Sequence, residues 1–286
     1  MLYFCSTIEE FKNLKLKLKP KHIGLVPTMG NLHDGHMSLV DESLKENDLT
    51  VISIFVNPIQ FAKGEDFETY PRSLEEDLQK IEKTLTKAKG EERTAIVFAP
   101  SNADEIYPKG FSDNVSAGKL GRILEGEVRP QHFDGVVTVV KRLFKIISPQ
   151  SAYFGNKDFQ QVTLIKIMSK NEKLKINIRA LPIVREKSGL AMSSRNGYLS
   201  EEEKVKGLNL YKALKLIAKA IKDGEDLHEI NDKINGILKN DGSFNYLEIR
   251  NAQDLSVPKK LEGELVVLGN YQVGRVRLID NIEVVI

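Results

Sequence analysis

The sequence is short of several things, and each shortage excludes something. A single cysteine, Cys5, allows no internal disulfide and no cysteine-built zinc cage, which suits a reducing compartment and makes the cytoplasm the expected location. Charge of one sign is also missing: 42 Lys and Arg against 40 Asp and Glu leave a formal +2, too weak a field to draw nucleic acid. The longest apolar runs, such as Val51 to Val56, are strand-sized and far from the roughly 18 residues that span a bilayer. Met1 to Cys5 has neither the basic flank nor the apolar stretch of an export signal. Neither a nucleic-acid partner nor a membrane association is therefore expected.

Several motifs are missing too. No GxGxxG, GxSxG or HExxH occurs, which demotes dinucleotide dehydrogenases, α/β-hydrolases and zinc proteases. Nor is there a repeat of about 20 to 50 residues, a Gly/Ser linker or a low-complexity tract. What is present is 41% apolar residues in a chain of 286, enough to offset chain entropy with a core in one large domain or two ordinary ones.

Hydrophobic periodicity organises that core. After a lysine-rich helical start, Ile23 to Val26 reads as a buried strand closed by Pro27. Met37, Leu39, Val40 and Leu44 have helical spacing, and Leu49 to Val56 reads as the next strand, which completes a βαβ unit. The alternation continues with a helix at Leu74 to Leu85, a strand at Ala95 to Ala99, a helix at Val136 to Ile147 and a strand at Ala152 to Phe154. A helix at Gln160 to Ser169 and a strand at Ile176 to Val184, interrupted by Pro182, follow. Such alternation implies a parallel sheet with helices on both faces. Beyond about Arg185 the texture changes to two lysine-rich helices, Ser200 to Lys222 and Asp226 to Lys239. Strand-like runs then come at Phe244 to Arg250, Leu265 to Leu268 and Val276 to Ile279. The expected architecture is α/β, a Rossmann-like doubly wound sheet over residues 1–183, with a smaller C-terminal α+β domain over 184–286.

The densest chemistry lies in Pro27-Thr28-Met29-Gly30-Asn31-Leu32-His33-Asp34-Gly35-His36, where the first buried strand hands over to a helix. Doubly wound sheets bind ligands at the carboxyl ends of their strands, and the amides of a helix N-terminus favour phosphate. Gly30 and Gly35 have Walker A spacing, but His36 and Met37 stand where that motif needs Lys and Ser or Thr, so this is no P-loop. His33 and His36 suit three roles. They can donate N–H bonds to phosphate oxygens, which fits the Gly-flanked loop best. They can ligate a metal, which requires a third ligand while His22, His132 and His228 are scattered. They can also simply cap or pack at a helix start.

Two further polar clusters stand out, the first of them after a strand. Gly155-Asn156-Lys157-Asp158 offers backbone access, a cation for phosphate and acceptors for hydroxyls, though alone it also reads as an ordinary turn. Met192-Ser193-Ser194-Arg195 follows the Gly189 turn with two hydroxyls and a guanidinium, a set able to hold a triphosphate as charge moves onto departing pyrophosphate.

Together these blocks resemble the pantoate–β-alanine ligase (pantothenate synthetase) family of the HxGH nucleotidyltransferase superfamily. The likeness rests on PTMGNLHDGH at 27–36, SIFVNPIQF at 53–61, DFETYPR at 66–72, RPQHFDGV at 129–136, YFGNKDFQQ at 153–161 and AMSSRNGYLS at 191–200. It implies a ligase that turns pantoate and MgATP into pantoyl adenylate and pyrophosphate, then lets β-alanine attack to give pantothenate and AMP. It also implies a homodimer and a C-terminal domain that covers the active site. By residue matching, His36 is catalytic with His33 and Lys157 beside it. ATP is assigned to Met29, Gly30, Asn31, Leu32, His33, Asp34, Gly35, His36, Gly155, Asn156, Lys157, Asp158, Val184, Met192, Ser193, Ser194 and Arg195. Pantoate is assigned to Gln60 and Gln161, β-alanine to Gln60, and Mg²⁺ to Asp77. A lid is implied over Ala62 to Glu76, with Gly64 and Pro71 limiting its hinge. Asn156 departs from the family, which often has Glu there. Other HxGH nucleotidyl transferases lack the NPIQF and KDFQQ blocks, and a tRNA ligase needs a basic anticodon-binding region that the last 100 or so residues are too few to supply. A nucleotide-binding regulatory module would keep the loops but release no pyrophosphate with any acid.

Overall fold

Segments with no polar face to turn toward water form the centre of a parallel sheet. The computed structural model describes residues 1–86 and 93–286. In chain order its first elements are β1 (Leu2–Cys5), α1 (Ile8–Leu18), β2 (Ile23–Thr28), α2 (Asp34–Glu46), β3 (Leu49–Ile54), α3 (Leu74–Thr86) and β4 (Ala95–Phe98). Next come the short α4 (Ala103–Ile106) and α5 (Glu125–Val128), then α6 (His132–Ile147), β5 (Ser151–Gly155), α7 (Phe159–Asn171) and β6 (Asn177–Leu181). The chain ends with α8 (Glu201–Lys222), α9 (Leu227–Asn240), β7 (Phe244–Asn251), β8 (Glu264–Val273) and β9 (Val276–Val285).

The chain divides into two compact units. One comprises Met1–Asn156 with Leu164–Pro182, the other Lys157–Thr163 with Ile183–Ile286. In the first, six strands among the described residues form one sheet in the order β1-β4-β3-β2-β5-β6, every pair parallel. Apolar side chains of β2, β3 and β4 are sealed on both faces, Val26, Ile52 and Val97 on one and Leu25, Val51 and Ile96 on the other, and α2 and α3 add Leu39, Val40 and Ile81 to the first of these. Strand order reverses at β2, whose one neighbour is β3 and the other β5. Pairing of β2 with β3 runs the full length from Ile23 opposite Leu49 to Thr28 opposite Ile54. Pairing with β5 is limited to Gly24 opposite Ser151 and Leu25 opposite Ala152. The carboxyl ends of β2 and β5 are thus released from each other, which opens the crevice that parallel sheets offer at such a switch point.

In the second unit, α8 and α9 pack on an antiparallel sheet of order β7-β8-β9. Leu210, Leu214, Ile217 and Ile221 of α8 and Ile230 and Ile234 of α9 meet Leu247, Leu265, Val267 and Leu278 of the strands. The spacing of those residues on α8 leaves Lys212, Lys215, Lys219 and Lys222 on the exposed face. Each helix opens on a capping box, Ser200 with Glu203 and Asp226 with Glu229, which satisfies amides that the first turn leaves over.

Among the elements whose bounds differ from the sequence reading, three do so for reasons visible in the structure, while β9 also runs on to Val285, β2 through Pro27 to Thr28 and α6 begins at His132. Strand β1 replaces the first residues of the expected helical start, because Thr7 caps α1 and the four residues of Leu2–Cys5 ahead of it pair in parallel with β4, Leu2 opposite Ala95. The strand expected to reach Val184 stops at Leu181, where Pro182 has no N–H for the ladder. Strand β8 extends well past Leu268, since Asn270 is buried and accepts a hydrogen bond from Asn245 Nδ2 at 2.7 Å, so its polarity does not mark a turn.

Candidate active site

The loop leaving β2 is built backbone first. Thr28 Oγ1 donates to Ser53 O at 2.8 Å and accepts from Gly30 N at 3.2 Å, which turns the chain sharply at the strand end. Gly30 has φ +86°, and a Cβ there would lie 3.1 Å from Ile54 Cγ2 and 3.2 Å from an Asp77 oxygen, so this turn needs glycine. Asn31 follows at φ +49°. Asp77, fully buried on α3, holds the turn in place: Oδ2 accepts from Asn31 N at 2.9 Å and Oδ1 from Leu32 N at 2.7 Å. Lys80 Nζ donates to Leu32 O at 2.8 Å. Leu32 itself is buried in the sheet core, with its N–H given to Asp77 and its carbonyl to Lys80, so it anchors the loop from within.

The two histidines then cap α2 reciprocally. His33 is the N-cap, and its Nδ1 accepts from Gly35 N at 3.1 Å, while His36 Nδ1 accepts from His33 N at 3.3 Å. A ring nitrogen that accepts from an amide carries no proton, so each neutral imidazole keeps its proton on Nε2 and presents an N–H donor there. The ring centroids are 4.1 Å apart, which places the two donors side by side at a helix N-terminus. The capping and phosphate-donor roles weighed for these residues are therefore compatible, because they use different nitrogens.

Burial pushes the Asp77 carboxyl above the usual carboxylate range, against the lowering effect of the Leu32 and Asn31 amides. This geometry bears on the Mg²⁺ expectation. Asp77 has no exposed surface and spends both oxygens on main-chain amides, beside the Lys80 ammonium. Among the described residues no group of three or more His, Cys, Asp or Glu is arranged to hold a metal ion. The residues present do not fit a protein-built magnesium site, and Asp77 acts as the brace of the loop instead.

A second network orients Gln60, which ends a single 3₁₀ turn, Pro58–Gln60. Asn57, 1% exposed, donates from Nδ2 to Gln60 Oε1 at 3.0 Å and to Gly135 O at 3.1 Å. Asn57 Oδ1 accepts from Tyr107 OH at 2.8 Å, and burial raises the Tyr107 phenol so that it stays a donor. With Oε1 occupied, the Gln60 carboxamide points its NH₂ at Met29 Sδ, 3.1 Å away on the loop described above. The turn fits because Gly135 on α6 has no Cβ; one would fall 2.5 Å from Ile59 O and 2.6 Å from Gln60 Cα. From the other side His132 Nδ1 lies 2.9 Å from Gln60 O, and Arg129 Nη1 lies 2.9 Å from His132 Nε2. Since arginine can only donate, His132 Nε2 accepts and its Nδ1–H donates to Gln60. Arg129 completes the chain with a two-bond fork onto Glu65, 2.7 Å at each contact, which ties the segment expected to act as a lid to the Gln60 turn. The motif blocks contained Asn57, Arg129 and His132, yet the sequence reading gave them no role. The signal was chemical: polar side chains beside apolar runs in blocks already singled out.

The remaining candidates lie in the second unit, apart from Gly155 and Asn156, which end β5 and begin the next turn. Lys157 Nζ is 3.2 Å from Asp158 Oδ1, and Gln161 is half-buried in the first turn of α7. Val184 O accepts from Met192 N at 3.0 Å, which closes a hairpin. Ser193 then caps a 3₁₀ helix, Ser194–Tyr198, by accepting Arg195 N on Oγ at 3.3 Å. Asn196 locks this loop from within, its Nδ2 donating to Glu186 Oε1 at 2.8 Å and Ala191 O at 3.0 Å.

Comparison with known proteins covers nearly the whole chain. A family model described as Pantoate-beta-alanine ligase matches residues 3–283. Pantothenate synthetase of Aquifex aeolicus is 46% identical over 265 residues, 91% of this chain and 90% of the relative. The crystal structure of pantothenate synthetase from Thermus thermophilus superposes with a TM-score of 0.90 at 38% identity, with 100% of each chain covered. A pantoate-beta-alanine ligase from Francisella tularensis, complexed with beta-gamma ATP and beta-alanine, gives a TM-score of 0.71 at 32% identity over 99% of this chain and 97% of that one.

Proposed function

The chain belongs to the pantoate–β-alanine ligase family, and from that premise we propose how its residues carry the reaction. The enzyme condenses pantoate with β-alanine at the expense of ATP. In the first step a pantoate carboxylate oxygen attacks the α-phosphorus of ATP, the bond to the β-phosphate breaks, and pyrophosphate leaves with its electron pair. In the second, the β-alanine amine attacks the acyl carbon of pantoyl adenylate, loses a proton and expels AMP.

Neither step needs a protein nucleophile. What the first step needs is relief of repulsion between anions and donors aimed where negative charge accumulates. The observation that carries the reading is the reciprocal histidine cap: two Nε2–H donors, their tautomers set by main-chain amides, at the mouth of a helix. His36 and His33 meet the phosphate oxygens, with Met29 to Gly35 lining the nucleotide. Gly155 to Asp158 take ribose and phosphate, Val184 packs near adenine, and Lys157 with Met192, Ser193, Ser194 and Arg195 serves the triphosphate. Mg²⁺ entering with ATP would offset phosphate charge and would be held mainly by the nucleotide, while Asp77 serves the loop. Gln60 and Gln161 hold pantoate, and Gln60 serves β-alanine as well. A carboxamide suits this work because it donates to a carboxylate and accepts from a hydroxyl. The same reading makes the enzyme a cytoplasmic homodimer, which light scattering on the purified chain checks for the oligomer. No helix among the described residues is long and apolar enough to cross a membrane.

The test is formation of AMP and pyrophosphate with ATP, pantoate and β-alanine, each omitted in turn. With pantoate labelled by ¹⁸O in its carboxylate, one label should appear in AMP, because the second step cleaves the acyl carbon–oxygen bond and leaves that oxygen on phosphorus. Unlabelled AMP would rule out the adenylate. The glutamines give a sharper local test. Gln60→Ala should raise the pantoate KM by about tenfold, the scale of one hydrogen bond to a charged group, and leave the ATP KM within about twofold. Equal changes in both constants would remove pantoate from Gln60.

A further inference from the structure

Two buried polar neighbours on β9 are left unexplained by the reaction. Asp280 and Asn281 are 4% and 3% exposed, in a strand whose other buried residues are apolar. Register with β8 is unbroken there, Asp280 opposite Gly269 and Asn281 opposite Leu268, so the two side chains leave opposite faces of the strand. Each reaches a different candidate nucleotide segment. Asn281 Nδ2 donates to the main-chain oxygen of Lys157 at 3.0 Å. Asp280 takes a two-bond fork from Arg185, Nη1 at 2.6 Å and Nη2 at 2.9 Å.

Arg185 stands at the root of the hairpin that runs from Val184 to Met192. It bridges to Ala191, donates from Nη1 to Gly189 O at 3.2 Å, and lays its guanidinium 3.8 Å from the Tyr211 ring centroid. Contacts of several kinds therefore fix one guanidinium. A carboxylate and a guanidinium taken from water gain little net stability over well-packed apolar residues, so what such a pair supplies is geometry. Asp280 Oδ1 also accepts from Asn281 N at 2.8 Å, which couples the two braces to each other.

We infer that Asp280 and Asn281 are positioning residues for nucleotide binding: one strand sets the distance between the Lys157 turn and the loop that carries Ser193, Ser194 and Arg195. The inference rests on the assignment of those two segments to ATP. A triphosphate spanning a cation on one segment and a hydroxyl and guanidinium pair on the other tolerates little error in their spacing, because near-attack geometry is lost with displacements of about 1 Å.

Asn281→Ala removes one brace, and Arg185→Lys keeps the charge of the other while abolishing its fork and ring stacking. In the full-length protein, amide hydrogen exchange should speed up at 157–161 in the first variant and at 185–196 in the second. The ATP KM of each should rise by about five- to tenfold, with the β-alanine KM within about twofold of wild type. Unchanged exchange at both segments overturns the brace outright. Equal rises in both KM values also overturn it, since general loosening rather than positioning would be at work. Lys157→Ala separates this inference from the reading beneath it. If that variant raises the ATP KM while Asn281→Ala and Arg185→Lys do not, the positioning role fails and the nucleotide assignment stands. If Lys157→Ala leaves the ATP KM alone, the assignment of that turn fails, and exchange still decides whether the brace exists.

Discussion

Replacing His36 with alanine should lower the rate of AMP and pyrophosphate formation by about 10²- to 10³-fold, the loss seen when one preorganised donor to a developing oxyanion is removed. The side chain does two jobs, and a second variant separates them. His36 Nδ1 closes the capping box on His33 N, a contact worth about 1 kcal/mol, so the alanine variant should melt roughly 2 to 4 °C early. Glutamine at this third helical position can still reach back to the cap, as it does in ordinary capping boxes. His36→Gln should therefore recover most of the melting temperature and little of the activity, because its amide does not stand where the imidazole Nε2–H did. Recovery of both together would reduce His36 to a cap.

Asp77→Ala should carry a large cost in stability. It strips the acceptor from two amides in a buried loop, Asn31 N and Leu32 N, at about 1 to 3 kcal/mol each, so a loss of about 2 to 6 kcal/mol by denaturant titration is expected. The positive-φ pair Gly30 and Asn31 then loses what holds it, and the ATP KM should rise with the fall in stability. Raising Mg²⁺ should restore neither. A stable Asp77→Ala protein whose activity returns with excess Mg²⁺ would instead make Asp77 a cation contact. Asp77→Asn supplies the pH arm. Because burial raises the folded-state pKa of Asp77, its contribution is complete below the unfolded value of about 4 and declines as pH climbs through the raised folded value. The stability gap between wild type and Asp77→Asn should accordingly narrow over that interval.

The acids of α3 show where reading a sequence ran short. Glu75, Glu76, Asp77 and Glu82 look alike as a charged helix surface, yet Asp77 lies four residues before Ile81 and eight before Leu85, both buried. That spacing puts it on the apolar stripe, and a carboxylate there has to find donors inside the protein. The clue was present in the numbering, but the partners were 45 and 46 residues away, beyond any local pattern. Asn57 tells the same story. Its block was recognised, while its work depends on Tyr107 and Gly135, which only folding brings to it.

Residues close together in the chain dictated the alternating elements, the exclusion of a P-loop, the helix starts at Ser200 and Asp226 and the loop that carries both histidines. Such features follow from side-chain periodicity and from hydrogen bonds spanning three or four residues, and these act wherever the segment finds itself. Folding alone settled the strand order that parts β2 from β5, the addition of β1 to the sheet edge and the turn of Asp77 away from solvent. These hang on pairings and burial between distant stretches, whose energies no single stretch contains.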